Sequence, residues 1–161
     1  MNITNELKTL LDTLPGKVGN IISQESGKNR DVILKNICQL LQDEVPAYDW
    51  VGFYFSDPEV ERELVLGPYV GEPTDHIRIP FGRGICGQAA ETLKTFVVDD
   101  VNAEGNYLAC STDVKSEVVV PIMKDEQFIG ELDIDSHVKA GISGYDRKIL
   151  EQICEMVAKL F

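Results

Sequence analysis

The segment from Gln127 to Ser136 alternates so strictly that it dictates its own geometry: Phe128, Gly130, Leu132 and Ile134 fall on one side, and Ile129, Glu131, Asp133 and Asp135 on the other. Successive residues of a strand point to opposite faces, so Asp133 and Asp135 leave the same face two positions apart. Two carboxylates that close repel, and a protein tolerates them where a cation or a reacting group sits between them. A second β-rich run, Ser116 to Lys124, comes just before, and Asp125-Glu126 between the two suits a tight hairpin turn. A chain with this hairpin must build a sheet, and one face of that sheet must accommodate acids.

The rest of the chain supplies more strands and the helices to cover them. Strand-like runs bounded by Gly, Pro or Asp cover residues 49–56, 63–69, 76–80 and 95–99. Leu7, Leu10, Leu11 and Leu14 predict a short helix over 4–14 that Pro15-Gly16 breaks, with an ambiguous second helix over 17–28. Ile33, Leu34, Ile37, Cys38, Leu40 and Leu41 predict an amphipathic helix over 31–45, ended by Pro46. Residues 84–93 predict a short helix after the Phe81-Gly82-Arg83 turn. Ser143 and Asp146 have capping-box spacing ahead of the apolar stripe Ile149, Leu150, Ile153, Cys154 and Val157. Terminal helices around mostly antiparallel strands make an α+β domain with helices on one sheet face. With no repeat or linker, residues 1–161 read as one domain.

Alternation also separates the faces. Val51, Phe53 and Phe55 share one side of their strand, and Val118, Val120 and Ile122 one side of theirs; these apolar sets must face the helices. The opposite face then carries Trp50, Tyr54, Glu117, Asp133 and Asp135. It is either a solvated sheet surface or a cage of aromatics and carboxylates for an ammonium group, such as an amino acid would bring.

Composition excludes some partners. A net charge of −12 opposes nucleic acid, whose phosphates need clustered Lys and Arg. No apolar run reaches the ~20 residues a membrane helix needs, and the N-terminus lacks signal-peptide features, so a cytoplasmic location is expected. There are four cysteines and two histidines, with no Cys-x-x-Cys pair, which argues against a structural zinc site. Cys38 and Cys154 lie on apolar helix stripes and read as buried and inert. Cys86 falls near a helix start, where the dipole, with help from Arg83, lowers a thiol pKa. Cys110 sits in a non-periodic segment that opens towards the pocket face. Either of the last two can be reactive or simply a free thiol.

Several of these stretches, in order and at matching spacing, resemble a known family. Trp50 to Phe55, Leu64 to Tyr69, Ile77 to Gly87, Ala109-Cys110, Ser116 to Pro121 and Ile129 to Ser136 are similar to the GAF-domain free methionine-(R)-sulfoxide reductases. The resemblance implies a GAF fold with an antiparallel sheet of about six strands, terminal helices on one face and a ligand pocket on the other. It implies an oxidoreductase without cofactor or metal, in which the Cys110 thiolate attacks the sulfoxide sulfur and becomes a sulfenic acid. Glu117, Asp133 and Asp135 would hold the substrate ammonium and protonate the departing oxygen, and Trp50 and Tyr54 would flank the S-methyl group. The resemblance also implies regeneration by a dithiol such as thioredoxin, and it allows a homodimer.

One position departs from the pattern. Many members have a further cysteine ten residues before Cys86, and this chain has His76. Resolution of the sulfenic acid then falls to Cys86 or to an external thiol, while His76 either fills space or favours the Cys110 thiolate. The substitution also keeps open an alternative, a non-catalytic GAF sensor that binds a small amino acid or related metabolite.

Overall fold

The computed structural model describes residues 3–108 and 112–161. Cys110 lies outside the described residues. The elements run α1 (Asn5–Gln24), α2 (Arg30–Glu44), β1 (Trp50–Ser56), β2 (Glu63–Val70), β3 (Arg78–Pro80), α3 (Gly84–Thr92), β4 (Phe96–Val98), β5 (Ser116–Lys124), β6 (Gln127–Ser136) and α4 (Gly144–Ala158). The strands form one six-stranded sheet in the order β3-β2-β1-β6-β5-β4, antiparallel at every pairing. Helices α1, α2 and α4 cover one face, and α3 packs over β3, β5 and β6 on the other. The α+β expectation holds. Among the described residues no helix is long and apolar enough to cross a membrane.

Helix α1 corrects the sequence reading, because it runs unbroken through Pro15 to Gln24. Leu11 and Leu14 before the proline and Val18 after it are all fully buried on one stripe. Burying three such side chains yields about 1.5–3 kcal/mol each, which outweighs the ~3 kcal/mol that a mid-helix proline costs. Tertiary packing overrides the local breaker. Elsewhere the boundaries move by one or two residues; β3 starts at Arg78 instead of His76.

The β5–β6 hairpin has its predicted ends, and Asp125 and Glu126 both take positive φ (52° and 66°), the conformation of a primed two-residue turn. Next to that turn a register shift separates Ile122 and Met123, which pair with Gly130 and Phe128. The extra residue reverses the first side chains of β6. Phe128 therefore packs edge-on against Phe81 on the pocket face at 5.7 Å, and Ile129 joins the helix side. Strict alternation had assigned these two the other way round; a bulge flips everything beyond it. From Gly130 to Asp135 the alternation is intact.

At the C-terminus the capping box forms as expected, with Ser143 N–H donating to Asp146 Oδ2 at 2.9 Å. The Tyr48 hydroxyl donates to Asp146 Oδ1 at 2.7 Å, which ties the entry to β1 onto the start of α4.

Candidate active site

The central strands set the acids in rows. Trp50 on β1, Asp135 on β6 and Glu117 on β5 are cross-strand partners; the next row is Gly52, Asp133 and Val119, and the next Tyr54, Glu131 and Pro121. All five residues expected on the pocket face are there, but as a buried surface rather than a solvated one. Trp50, Tyr54, Glu117, Asp133 and Asp135 are each 5% exposed or less, because α3 and the segment through Leu108 cover them. That excludes the solvated-sheet alternative.

The aromatic wall is larger than the sequence reading had it. Trp50 stacks on Tyr69 at 5.3 Å and on Tyr54 at 6.4 Å. Its indole N–H donates to the Glu72 carbonyl at 3.0 Å, and the Tyr54 hydroxyl donates to the His76 carbonyl at 2.8 Å. His76 lines a narrow cavity with Tyr54, Cys86, Leu108, Glu117 and Asp133.

Helix α3 delivers Cys86 into the acids, and two glycines make its approach possible. A Cβ at Gly87 would stand 2.6 Å from the Pro80 carbonyl oxygen, so only glycine lets the helix close on the end of β3. Gly84 has φ +66°, and a Cβ there would stand 2.9 Å from Leu108 Cγ. The Gly84 N–H is capped from outside the helix by Asn106 Oδ1 at 2.8 Å, while the Asn106 amide donates to the Gly82 carbonyl at 2.8 Å. The chain leading towards Cys110 is thereby pinned to the turn that carries Cys86.

The electrostatics are those of a dry, over-charged pocket. Burial pushes the Asp133 carboxyl up to about 6. Asp135 is raised well above the usual range by burial, then by the charges of Asp133 and Asp49. Cys86 is raised well above an ordinary thiol by burial, then by Asp133, Glu131 and Glu117. The helix start was expected to lower it; a single dipole does not offset three carboxyls and loss of water. Cys86 is a protonated thiol in this state, its Sγ 3.9 Å from Glu117 Oε1. Donor atoms of Cys86, Glu117 and Asp133 lie within 4.8 Å of one another, a spacing that suits a compact cation.

Glu131 is the residue the sequence reading passed over. Alternation had put it on the acid face, but the set drawn from that face left it out. It is fully buried, and burial followed by the charge of Asp133 raises its carboxyl well above the ordinary value. Among the described residues nothing donates a hydrogen bond to Glu131 Oε1 or Oε2, Asp133 Oδ1 or Asp135 Oδ2. Each orphaned buried acceptor costs about 1–3 kcal/mol, a cost that a bound cationic ligand would relieve.

Comparison with known proteins agrees with this geometry. The GAF domain family matches residues 29–160. Protein YtsP of Bacillus subtilis is 44% identical over 124 residues, spanning 77% of this chain and 75% of its own. The free methionine-R-sulfoxide reductase of Escherichia coli is 35% identical over 127 residues, 79% of this chain and 74% of that protein. The Neisseria meningitidis free methionine-R-sulfoxide reductase, solved in complex with its substrate, superposes with a TM-score of 0.89 at 33% identity, covering 99% of this chain and 92% of that one. Agreement of that length in both sequence and fold places the chain in the GAF-domain family of free methionine-R-sulfoxide reductases.

Proposed function

We propose that this protein reduces free methionine-(R)-sulfoxide to methionine through Cys110. The observation that carries the reading is the buried row Trp50, Asp135 and Glu117 with Asp133 beside it, orphaned carboxylate oxygens facing an aromatic wall. An α-ammonium group supplies the missing donors, and the stacked rings of Trp50 and Tyr54 suit the S-methyl end.

The chemistry then follows from what each group holds. The Cys110 thiolate attacks the sulfoxide sulfur, and a pocket carboxyl gives its proton to the sulfoxide oxygen. Asp133, with a pKa near 6, is still partly protonated near neutrality and suits this donation. The oxygen ends on Cys110 as a sulfenic acid, and methionine departs. Cys86 resolves the sulfenic acid as a disulfide, which an external dithiol such as thioredoxin reopens.

A stereospecific assay tests the function. With dithiothreitol as reductant, the free R sulfoxide is consumed, while the S sulfoxide and peptide-bound methionine sulfoxide are not. Binding of the R sulfoxide without release of methionine would identify a sensor instead. The resolving role has its own readout: Cys86→Ser slows thioredoxin-driven cycling, with about one equivalent of methionine still formed per chain. Normal cycling in that variant would assign resolution to an external thiol.

A further inference from the structure

We propose that Cys86, Glu117 and Asp133 form a site for a thiophilic divalent cation such as Zn²⁺, and that this cation competes with the substrate ammonium for the two carboxylates. The competition rests on the reading of Glu117 and Asp133 as ammonium ligands. The metal site itself rests on where the three side chains stand.

Three elements bring the ligands together: Cys86 from α3, Glu117 from β5 and Asp133 from β6. One donor atom from each lies within 4.8 Å of the others, and Cys86 Sγ stands 3.9 Å from Glu117 Oε1. Tetrahedral Zn²⁺, with bonds of about 2.3 Å to sulfur and about 2.0 Å to oxygen, sets such a pair about 3.5 Å apart. The pair is only about 0.4 Å wider than that. A second sign of a ligand comes from Asp133. It is 1% exposed, it lines the same narrow cavity as Cys86 and Glu117, and nothing among the described residues donates to its Oδ1. A buried acceptor in that state is stabilised by a cation.

The donor set decides which cation fits. A thiolate beside two carboxylates suits Zn²⁺ and other thiophilic ions, whereas Mg²⁺ and Ca²⁺ take about six to eight oxygens. His76 also lines the cavity but falls outside the group of donor atoms close enough to share an ion, so water takes the fourth position. On binding, the Cys86 S–H proton leaves to solvent and the sulfur bonds to the metal, with no change of oxidation state. The ion offsets two of the three negative charges that the ionised ligands carry. A loaded site withholds both carboxylates from the ammonium and Cys86 from disulfide formation. No Cys-x-x-Cys spacing announces it, because its ligands come from three separate elements.

The test uses Co²⁺ in place of zinc, added to the full-length protein after its thiols are reduced and the reductant is removed. A cobalt–thiolate charge-transfer band is expected to saturate at about one metal per chain, and Zn²⁺, the tighter binder, is expected to bleach it. Cys86→Ser is expected to abolish the band. Glu117→Gln and Asp133→Asn are each expected to weaken cobalt binding by about 10²-fold, since even partners outside the ligand shell are worth about 10–100-fold. A band that survives Cys86→Ser, or affinity unchanged in both carboxylate variants, overturns the site. A cooperative thermal melt of each metal-free variant establishes that lost binding is local. Competition is read in Cys110→Ser, which binds the sulfoxide without consuming it. There the free R sulfoxide is expected to diminish the band, while the S sulfoxide, which chelates free cobalt equally, is not. If the R sulfoxide binds the metal-free protein by calorimetry yet leaves the band unchanged, the competition is overturned. If it does not bind even the metal-free protein, the function proposed above falls, and the band in Cys86→Ser still decides the metal site.

Discussion

Cys110→Ser is expected to abolish consumption of free methionine-(R)-sulfoxide, including the first equivalent. Serine has nearly the same volume, but its hydroxyl stays protonated at neutral pH and is a poor nucleophile towards sulfur. Burial, which raises Asp133, Asp135 and Glu131, favours their protonated forms, and those cannot take the serine proton. Removing a nucleophile on which the chemistry depends costs on the order of 10⁴-fold or more, below detection in a dithiothreitol assay. Turnover at the parent rate would transfer the nucleophile's role to Cys86, the one thiol that lines this pocket among the described residues. Cys38 and Cys154 are not candidates; both lie in the core on the helix side of the sheet.

The second large effect has opposite signs for binding and for stability. Asp133→Asn or Asp135→Asn removes a charge on which the proposed ammonium site depends, and truncating one partner of a buried ion pair costs about 2–5 kcal/mol of binding. KM for the R sulfoxide rises accordingly, as a titration series would read. The ligand-free protein changes the other way. The folded Asp133 carboxyl has a pKa of about 6, above its unfolded value, so the folded state holds the proton more tightly. The stability this contributes is present below about pH 4 and lost as pH rises towards 6. Asn carries no such titration. The melting temperature of Asp133→Asn therefore gains on the parent between those pH values and holds its advantage above them. Unchanged KM would mean that the acids do not touch the substrate. A constant melting difference across pH would mean that Asp133 titrates normally.

Much of this pocket could be read along the chain because one short-range rule, alternation, survives intact through the part of β6 that matters. Asp133 and Asp135 needed no tertiary information to share a face, and their partners Trp50 and Glu117 followed from the same rule applied to β1 and β5. Three things were not local. The bulge beside Asp125-Glu126 exchanges the sides of Phe128 and Ile129, and no residue type there announces it. The continuity of α1 through Pro15 depends on a stripe whose burial is settled by α2 and α4. The state of the Cys86 thiol depends on carboxyls that lie 31 to 47 residues away in sequence, which no local dipole argument includes. Glu131 was legible and was set aside, since only burial distinguishes an orphaned acid from one in water.

The two outermost strands bear on how copies of this protein meet. β3 and β4 are three residues each, and β3 bears an exposed Arg78 and ends on Pro80. An edge that short offers few free backbone groups to another chain, and its proline has no N–H to give. Association by extending the sheet from one molecule into the next is therefore disfavoured. A dimer of this protein would form through side chains on the helices or loops, leaving the sheet and the acid rows within each subunit undisturbed.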